Sequence, residues 1–346
     1  MLRKKCIRVK YRLRAQTVAG NNGHILGFSP LFDQINMMLF RLLGVDEIDL
    51  VLCSMLMSNS RTPYRALADK LGLSVNAIHK RIQSLIETDV IRGFTAKPSI
   101  RALGFLSVFI HGASNARSIN EAMKKISTCE NVYWICVGGG NHLYVGAYVR
   151  GLSKLNEVAA TISDLGEIPE PVIGIVETGY NPETSPREEL ESLDWEIIYQ
   201  LRNDSKRPIS EVADSIGISA KTARRRLDKL IHNQLIELSI LWYPDASNDI
   251  ISVYHVHTEP KIRLNPLDLY RDYMPRLIMA IEYQNIPGEY LLLAWSRTTN
   301  DMRELYLRIE DDSRFESVKA NIIFLGEVYP TWRDKLLEEK GAPQSI

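Results

Sequence analysis

Apolar residues recur at helical spacing in three short blocks, near 47–57, 63–71 and 75–87, and the same pattern returns 145 positions further on. In that register Asp49 matches Asp194, Leu56 matches Leu201, Ser60 matches Ser205 and Pro63 matches Pro208. The correspondence continues through Ala68-Asp69 and Ala213-Asp214, Gly72 and Gly217, Ser74 and Ser219, and Arg81 and Arg226. It ends with Leu85-Ile86 and Leu230-Ile231, then Ile91 and Ile236. Such a period is too long for a solenoid, whose repeats run roughly 20–50 residues, and predicts one duplicated domain pair.

Pro63 and Pro208 are expected in the first turn of a helix, where a missing N–H costs nothing. Between the second and third blocks lie Leu71-Gly72-Leu73-Ser74 and Ile216-Gly217-Ile218-Ser219. Each joins a glycine that can end one helix to a serine that can cap the next, which is the helix-turn-helix arrangement. The β-rich stretches 90–96 and 235–242 that follow read as wings.

Beyond them the period changes from helical to alternating. Strands are expected at 105–112, 133–137, 143–149 and 173–178, with helices at 118–128 and 153–165. That is the ferredoxin-like order β-α-β-β-α-β, and 250–332 repeats it less clearly. The fold expected is therefore α+β, a winged helix-turn-helix followed by a ferredoxin-like βαββαβ sensor domain, with the pair present twice. The boundaries expected are a basic extension and lead-in at 1–45, the first helix-turn-helix at 46–98 and its sensor at 99–180. A linker at 181–191, a second helix-turn-helix at 192–244, a second sensor at 245–335 and a tail at 336–346 complete the chain.

Composition narrows the function classes. Of 346 residues 45% are hydrophobic and 24% charged, and Lys plus Arg balances Asp plus Glu at 42 each, so any affinity for nucleic acid must come from local charge. No apolar run reaches the roughly 18 residues of a membrane span. The cysteines Cys6, Cys53, Cys129 and Cys136 form no CxxC pair, which suits a reducing cytoplasm. The first fourteen residues carry Arg3, Lys4, Lys5, Arg8, Lys10, Arg12 and Arg14 without an acid. They read either as a DNA-seeking arm or as a leader ahead of a start near Met37 or Met38.

The second helix of a helix-turn-helix enters the major groove, so its polar face is the candidate DNA-binding site. In the second copy that face offers Ser219, Lys221, Thr222, Arg224, Arg225, Arg226 and Lys229, opposite an apolar stripe of Ala223, Leu227, Leu230 and Ile231. In the first copy it offers Ser74, Asn76, His79, Lys80, Arg81 and Gln83. Cations hold phosphate, guanidinium also reads guanine, and asparagine and glutamine read adenine. Arg81 and Arg226 stand at equivalent positions, where the arginine pins the helix either to its own domain or to a phosphate instead of reading a base. His111, His142, His255 and His257 have no carboxylate or cysteine at metal spacing in the sequence and read as structural, so no metal is assigned. Trp134, Trp195, Trp242, Trp295 and Trp332 read as packing residues.

Each copy resembles the leucine-responsive regulator and asparagine-synthetase activator (Lrp/AsnC) family. The resemblance rests on the pattern around Asp49 and Asp194, on A-D-x-(L/I)-G-(L/I)-S, on R-(I/L)-x-x-L-I and on the following (V/L)-I. It implies a transcriptional regulator that binds double-stranded DNA, forms homo-oligomers through its sensor domains and responds to a small effector such as an amino acid. The glycine-containing hairpin Gly138, Gly139, Gly140 and Asn141 is implied to lie by the effector site, where glycines allow close backbone approach. The second copy keeps one glycine there, Gly288. No catalytic residue or cofactor is expected. The alternative is an enzyme resembling the sirohaem decarboxylases of haem synthesis, which share this architecture; in the sequence only His142 approaches the place of their tetrapyrrole-holding groups.

Overall fold

The computed structural model describes residues 45–178, 189–243, 246 and 249–343, so the basic segment and most of the expected linker lie outside the described residues. Helix α1 (Glu47–Ser58) starts at a reciprocal cap, in which the Asp46 carboxylate accepts from the Asp49 N–H and the Asp49 carboxylate from the Asp46 N–H. Helices α2 (Tyr64–Leu71) and α3 (Val75–Glu87) are joined through Gly72, whose φ of 65° is the left-handed cap that ends α2. The Ser74 hydroxyl then accepts from the Ala77 N–H to begin α3. The second copy repeats this with α7 (Ser192–Leu201), α8 (Ile209–Ile216) and α9 (Ala220–His232), through Gly217 at φ 72° and Ser219. Pro63 and Pro208 stand at the N-cap, one residue ahead of the first turn expected for them.

The strands after each helix-turn-helix do not make a separate hairpin in each copy, as the expected wings would. Strand β1 (Ile91–Pro98) pairs antiparallel with β6 (Ile236–Trp242), so each finds its hydrogen-bonding partner in the other half. A short helix α4 (Ile100–Leu103) leads from β1 into the first sensor.

The first sensor runs β2 (Leu106–Ala113), α5 (Ile119–Ile126), β3 (Val132–Gly138), β4 (His142–Val149), α6 (Leu155–Leu165) and β5 (Val172–Ile175). The second runs β7 (Ile250–His257), α10 (Pro266–Tyr273), β8 (Leu277–Glu282), β9 (Glu289–Ser296), α11 (Thr299–Glu310) and β10 (Ser317–Val328). Both follow the ferredoxin-like order, and they share one eight-stranded sheet ordered β5-β2-β4-β3-β10-β7-β9-β8. Alternation along the strands sorts the side chains. Val108 and Ile110 of β2 pack beneath Met123 of α5 and Ile162 of α6, while Tyr254 and Val256 of β7 pack beneath Leu269 of α10 and Leu305 of α11. Phe109 and Val253 face the other way, into an interior shared by both halves.

The sheet also meets itself at its ends. Val176 bridges Tyr283, the Glu177 N–H donates to the Glu282 carbonyl at 2.8 Å and the Gln284 N–H to the Ile175 carbonyl at 2.8 Å. The Asn285 side chain clasps β5 from beyond β8, accepting from the Ile175 N–H and donating to the Ile173 carbonyl. Strand registers make this closure the counterpart of the β3–β10 seam, where Ile323 pairs with Gly138. The result is a barrel with approximate two-fold symmetry, one sensor forming each half. At each seam a glycine leaves room for a side chain from the other half: a Cβ on Gly138 would lie 2.7 Å from the Asn321 amide, and one on Gly174 would lie 2.2 Å from the Tyr283 ring.

The first part of the expected tail, residues 336–341, is helical. Helix α12 (Trp332–Gly341) buries Trp332 and Leu337, and its Gly341 lies against Trp195 of α7. Arg333, only 3% exposed, pairs with Glu237 of β6 at 2.7 Å and lies over the ring of Tyr148. The second helix-turn-helix is thereby fastened to the first sensor.

Closure of the barrel sets a first prediction. Gly174→Ala drives a methyl group into a buried tyrosine ring and lowers stability by about 1–3 kcal/mol, measured by denaturant unfolding; an unchanged midpoint would mean that the β5–β8 seam is not tightly packed.

Candidate nucleic-acid interface

Helices α3 and α9 each bury one stripe and expose the other. In α3, Ile78, Ile82 and Leu85 are buried, while Ser74, Asn76, His79, Lys80 and Gln83 are exposed. In α9, Ala223, Leu227 and Leu230 are buried, while Ser219, Lys221, Arg224, Arg225 and Lys229 are exposed, with Thr222 and Arg226 half-buried. Ile231, expected in the core stripe, lies at its margin and is 36% exposed.

Several polar groups are already engaged. The Ser74 and Ser219 hydroxyls cap their helices, and Thr222 Oγ1 lies 2.9 Å from Ser219 Oγ. The His79 ring meets the edge of Tyr64, and Gln83 bonds Glu87 one turn on. Arg81 pairs with Asp46 at 2.9 Å and Asp49 at 2.7 Å, and Arg226 with Glu191 at 2.7 Å and Asp194 at 3.6 Å. Of the two alternatives open to these arginines in the sequence, the structure has them pinned to their own domain, through these acids. Each ties a recognition helix to the first helix of its copy, which fixes the angle at which the remaining side chains project.

The two helix-turn-helix copies also meet each other, through the connections that follow their first helices. Ser60 Oγ and Ser205 Oγ, equivalent residues, meet at 2.6 Å in a buried contact. The Ser60 N–H donates to the Leu238 carbonyl and the Ser205 N–H to the Phe94 carbonyl, a reciprocal pair across the same dyad. Arg61 reaches over to donate to the carbonyls of Ser205 and Arg207.

At the expected effector hairpin, Gly140 and Asn141 take positive φ values of 66° and 55° to turn between β3 and β4. The group that approaches Gly138 and Gly139 is Asn321 of the second sensor, whose Oδ1 accepts from the Gly139 N–H at 2.7 Å. Inside the barrel lies an apolar cavity of about 270 Å³, with Phe109, Trp134, Tyr144, Trp242, Ile281 and Leu291 in its wall. Trp134 and Trp242 therefore border an open space, while Trp195, Trp295 and Trp332 are buried as expected.

Beside this cavity the structure departs from the isolated histidines of the sequence. His111 of β2 and His142 of β4 approach to 3.3 Å between Nδ1 and Nε2, and His255 of β7 packs its ring 5.1 Å from that of His111. The Glu289 carboxylate lies 4.0 Å from His111 Nε2. Spacing along the chain missed this set because it assembles across strands and across the two halves. Burial, followed by repulsion from His255 and His142, pushes the His111 ring down to about 3. Burial, followed by repulsion from His142, lowers His255 to about 4, and burial lowers His142.

These depressed values carry a sign. The folded rings stay neutral while the unfolded chain takes up protons near its ordinary value of 6.5, so stability is full above about 6.5 and falls as the pH drops towards about 3 to 4. Each ring contributes a slope of up to about 1.4 kcal/mol per pH unit in that window. In chelator-treated protein, His255→Asn flattens the curve of unfolding free energy against pH between those limits; a curve parallel to that of the parent would contradict the neutral assignment.

Comparison with known proteins accords with this geometry. A family model described as the AsnC-type helix-turn-helix domain matches residues 45–86 and again 190–231. The HTH-type transcriptional regulator LrpA of Pyrococcus horikoshii is 31% identical over 100 residues, 29% of this chain and 71% of that protein. The HTH-type transcriptional regulator LysM of Sulfurisphaera tokodaii is 47% identical over 125 residues, 35% of this chain and 84% of its own. Among solved structures, the sirohaem decarboxylase NirDL superposes with a TM-score of 0.55 and 13% identity, covering 85% of this chain and 98% of that one. At that identity the likeness is one of fold, a double module in a single architecture. No helix among the described residues is long and apolar enough to cross a membrane. On the strength of the two domain matches and these relatives, the chain belongs to the Lrp/AsnC family of helix-turn-helix transcriptional regulators, in a tandem-duplicated form.

Proposed function

We propose that one chain acts as its own dimer, binding double-stranded DNA sequence-specifically through α3 and α9 at two successive half-sites. The observation that carries this reading is the dyad contact at Ser60 and Ser205, which joins the two copies that carry the outward-facing recognition helices. Lys221, Arg224, Arg225 and Lys229 give α9 a cationic face for phosphate and guanine, and Asn76, His79, Lys80 and Gln83 give α3 a more neutral one suited to adenine. Two unlike readers predict an operator with unlike half-sites. The site of action on this reading is the cytoplasm.

A small metabolite such as an amino acid modulates the regulator in this proposal, seated by Gly140 and Asn141 or in the apolar cavity between the sensors. Assembly of several chains through the sensor domains is supported by Phe324 of β10, which is 68% exposed. A second reading, a tetrapyrrole-handling enzyme, is favoured by one observation, the histidine cluster inside a barrel of the same architecture. A shifted Soret band on adding sirohaem would support that reading.

The test of the main reading uses an operator selected from random DNA. Replacing Arg224 and Arg225 by alanine together weakens binding and reduces the slope of log Kd against log salt by about 1.8, about 0.9 for each phosphate no longer neutralised. Asn76→Ala costs about 1–3 kcal/mol and relaxes the preference at one half-site only. Fluorescence anisotropy at several salt concentrations reads both effects, and an affinity and slope indifferent to all three residues would overturn the proposal.

A further inference from the structure

The histidine cluster has a symmetry that its residue types conceal. His111 on β2 and His255 on β7 are equivalent strand positions, because β2 and β7 align residue for residue from Leu106 and Ile250. His142 opens β4 opposite Ala113, and Glu289 opens β9 opposite His257. Each therefore stands two residues along from the histidine of its own half, on the same face of the sheet. The duplicated sensor thus contributes one histidine pair and one histidine–glutamate pair, and the dyad brings them together. Contacts cross it in both directions: the His142 ring lies 5.6 Å from that of His255, and the Glu289 carboxylate lies 4.0 Å from His111 Nε2.

We propose that His111, His142, His255 and Glu289 form a binding site for one divalent first-row transition metal ion, of the class that prefers imidazole. The distances match such an ion. Two nitrogens bound at about 2.1 Å with a tetrahedral angle lie about 3.4 Å apart, against 3.3 Å between His111 and His142. One nitrogen of each of the three histidines lies within 4.8 Å of the others, a set that side-chain rotation can close on one ion. With His111 Nδ1 on the ion, its Nε2, buried and without a hydrogen-bond partner, is left as the N–H that faces the Glu289 carboxylate 4.0 Å away. Glu289 supplies the negative charge that offsets part of the ion's own.

The set is also supported from behind. The Tyr144 hydroxyl lies 2.8 Å from His255 Nε2, and Asn321 Nδ2 donates to that hydroxyl at 3.3 Å. This is the outer layer of hydrogen bonds that orients metal-binding histidines. Asn321 is the residue that holds the Gly139 backbone, so occupancy of the site bears on the β3–β4 hairpin through one shared side chain.

The test uses the full chain, stripped with chelator and titrated with Co²⁺, whose ligand-field absorption reports nitrogen coordination, followed by displacement with Zn²⁺. The result expected is one ion per chain, with affinity reduced about a hundredfold or more in His142→Ala and clearly reduced in Glu289→Gln. Both positions open a strand and are not fully buried, and an unchanged far-ultraviolet circular dichroism spectrum establishes that each variant is folded. Absence of Co²⁺ uptake by the folded parent overturns the proposal. So does uptake that His142→Ala and His255→Ala leave unchanged, or a Soret shift with haem in protein that takes up no free ion.

Discussion

Everything in this molecule depends on the closure of one sheet by two halves that cannot close alone. A four-stranded ferredoxin-like sheet exposes two edges, each a row of unpaired N–H and C=O groups. Here the edges of one sensor pair with those of the other, at β3–β10 and again where Val176 and Glu177 meet Glu282 to Gln284. Register then determines orientation, since a one-residue slip would turn every interior side chain outward. The dyad so defined runs on through β1 and β6 to Ser60 and Ser205, and with it the placement of both recognition helices.

Duplication within one chain lets the halves diverge while the dyad persists. Gly138 receives Asn321 at one seam and Gly174 receives Tyr283 at the other, so the glycine sits in a different strand of the module each time. His142 in the first half is answered by Glu289 in the second, which a homodimer with identical subunits cannot achieve. The same freedom separates the recognition helices, one carrying three consecutive arginines and the other asparagine and glutamine. The second half ends in α12, whose Trp332 and Arg333 reach Tyr148 of the first sensor and bind the halves further.

What the sequence revealed was what local rules govern. Gly72 with Ser74, and Gly217 with Ser219, mark the helix-turn-helix because a left-handed cap followed by a hydroxyl cap is decided within four residues. The ferredoxin-like order was legible from period and punctuation. Features that depend on partners distant in the chain were not. β1 and β6 looked like wings because a lone strand carries no record of which strand it will meet. Helix α12 looked like a tail because its buried residues, Trp332, Arg333, Leu337 and Gly341, form a broken and partly polar stripe. The histidines looked isolated because 31 and 113 residues separate His111 from His142 and His142 from His255 along the chain. Only the barrel brings them within reach.

The central claim is that a single chain presents two recognition helices to DNA as a dimer would. The mass of the operator complex in sedimentation, taken together with its hydroxyl-radical footprint, tests it most directly. The account predicts one chain protecting two half-sites about one helical turn, roughly 10 base pairs, apart, on the same side of the duplex. Two chains bound to that operator, each protecting one half-site, would contradict it.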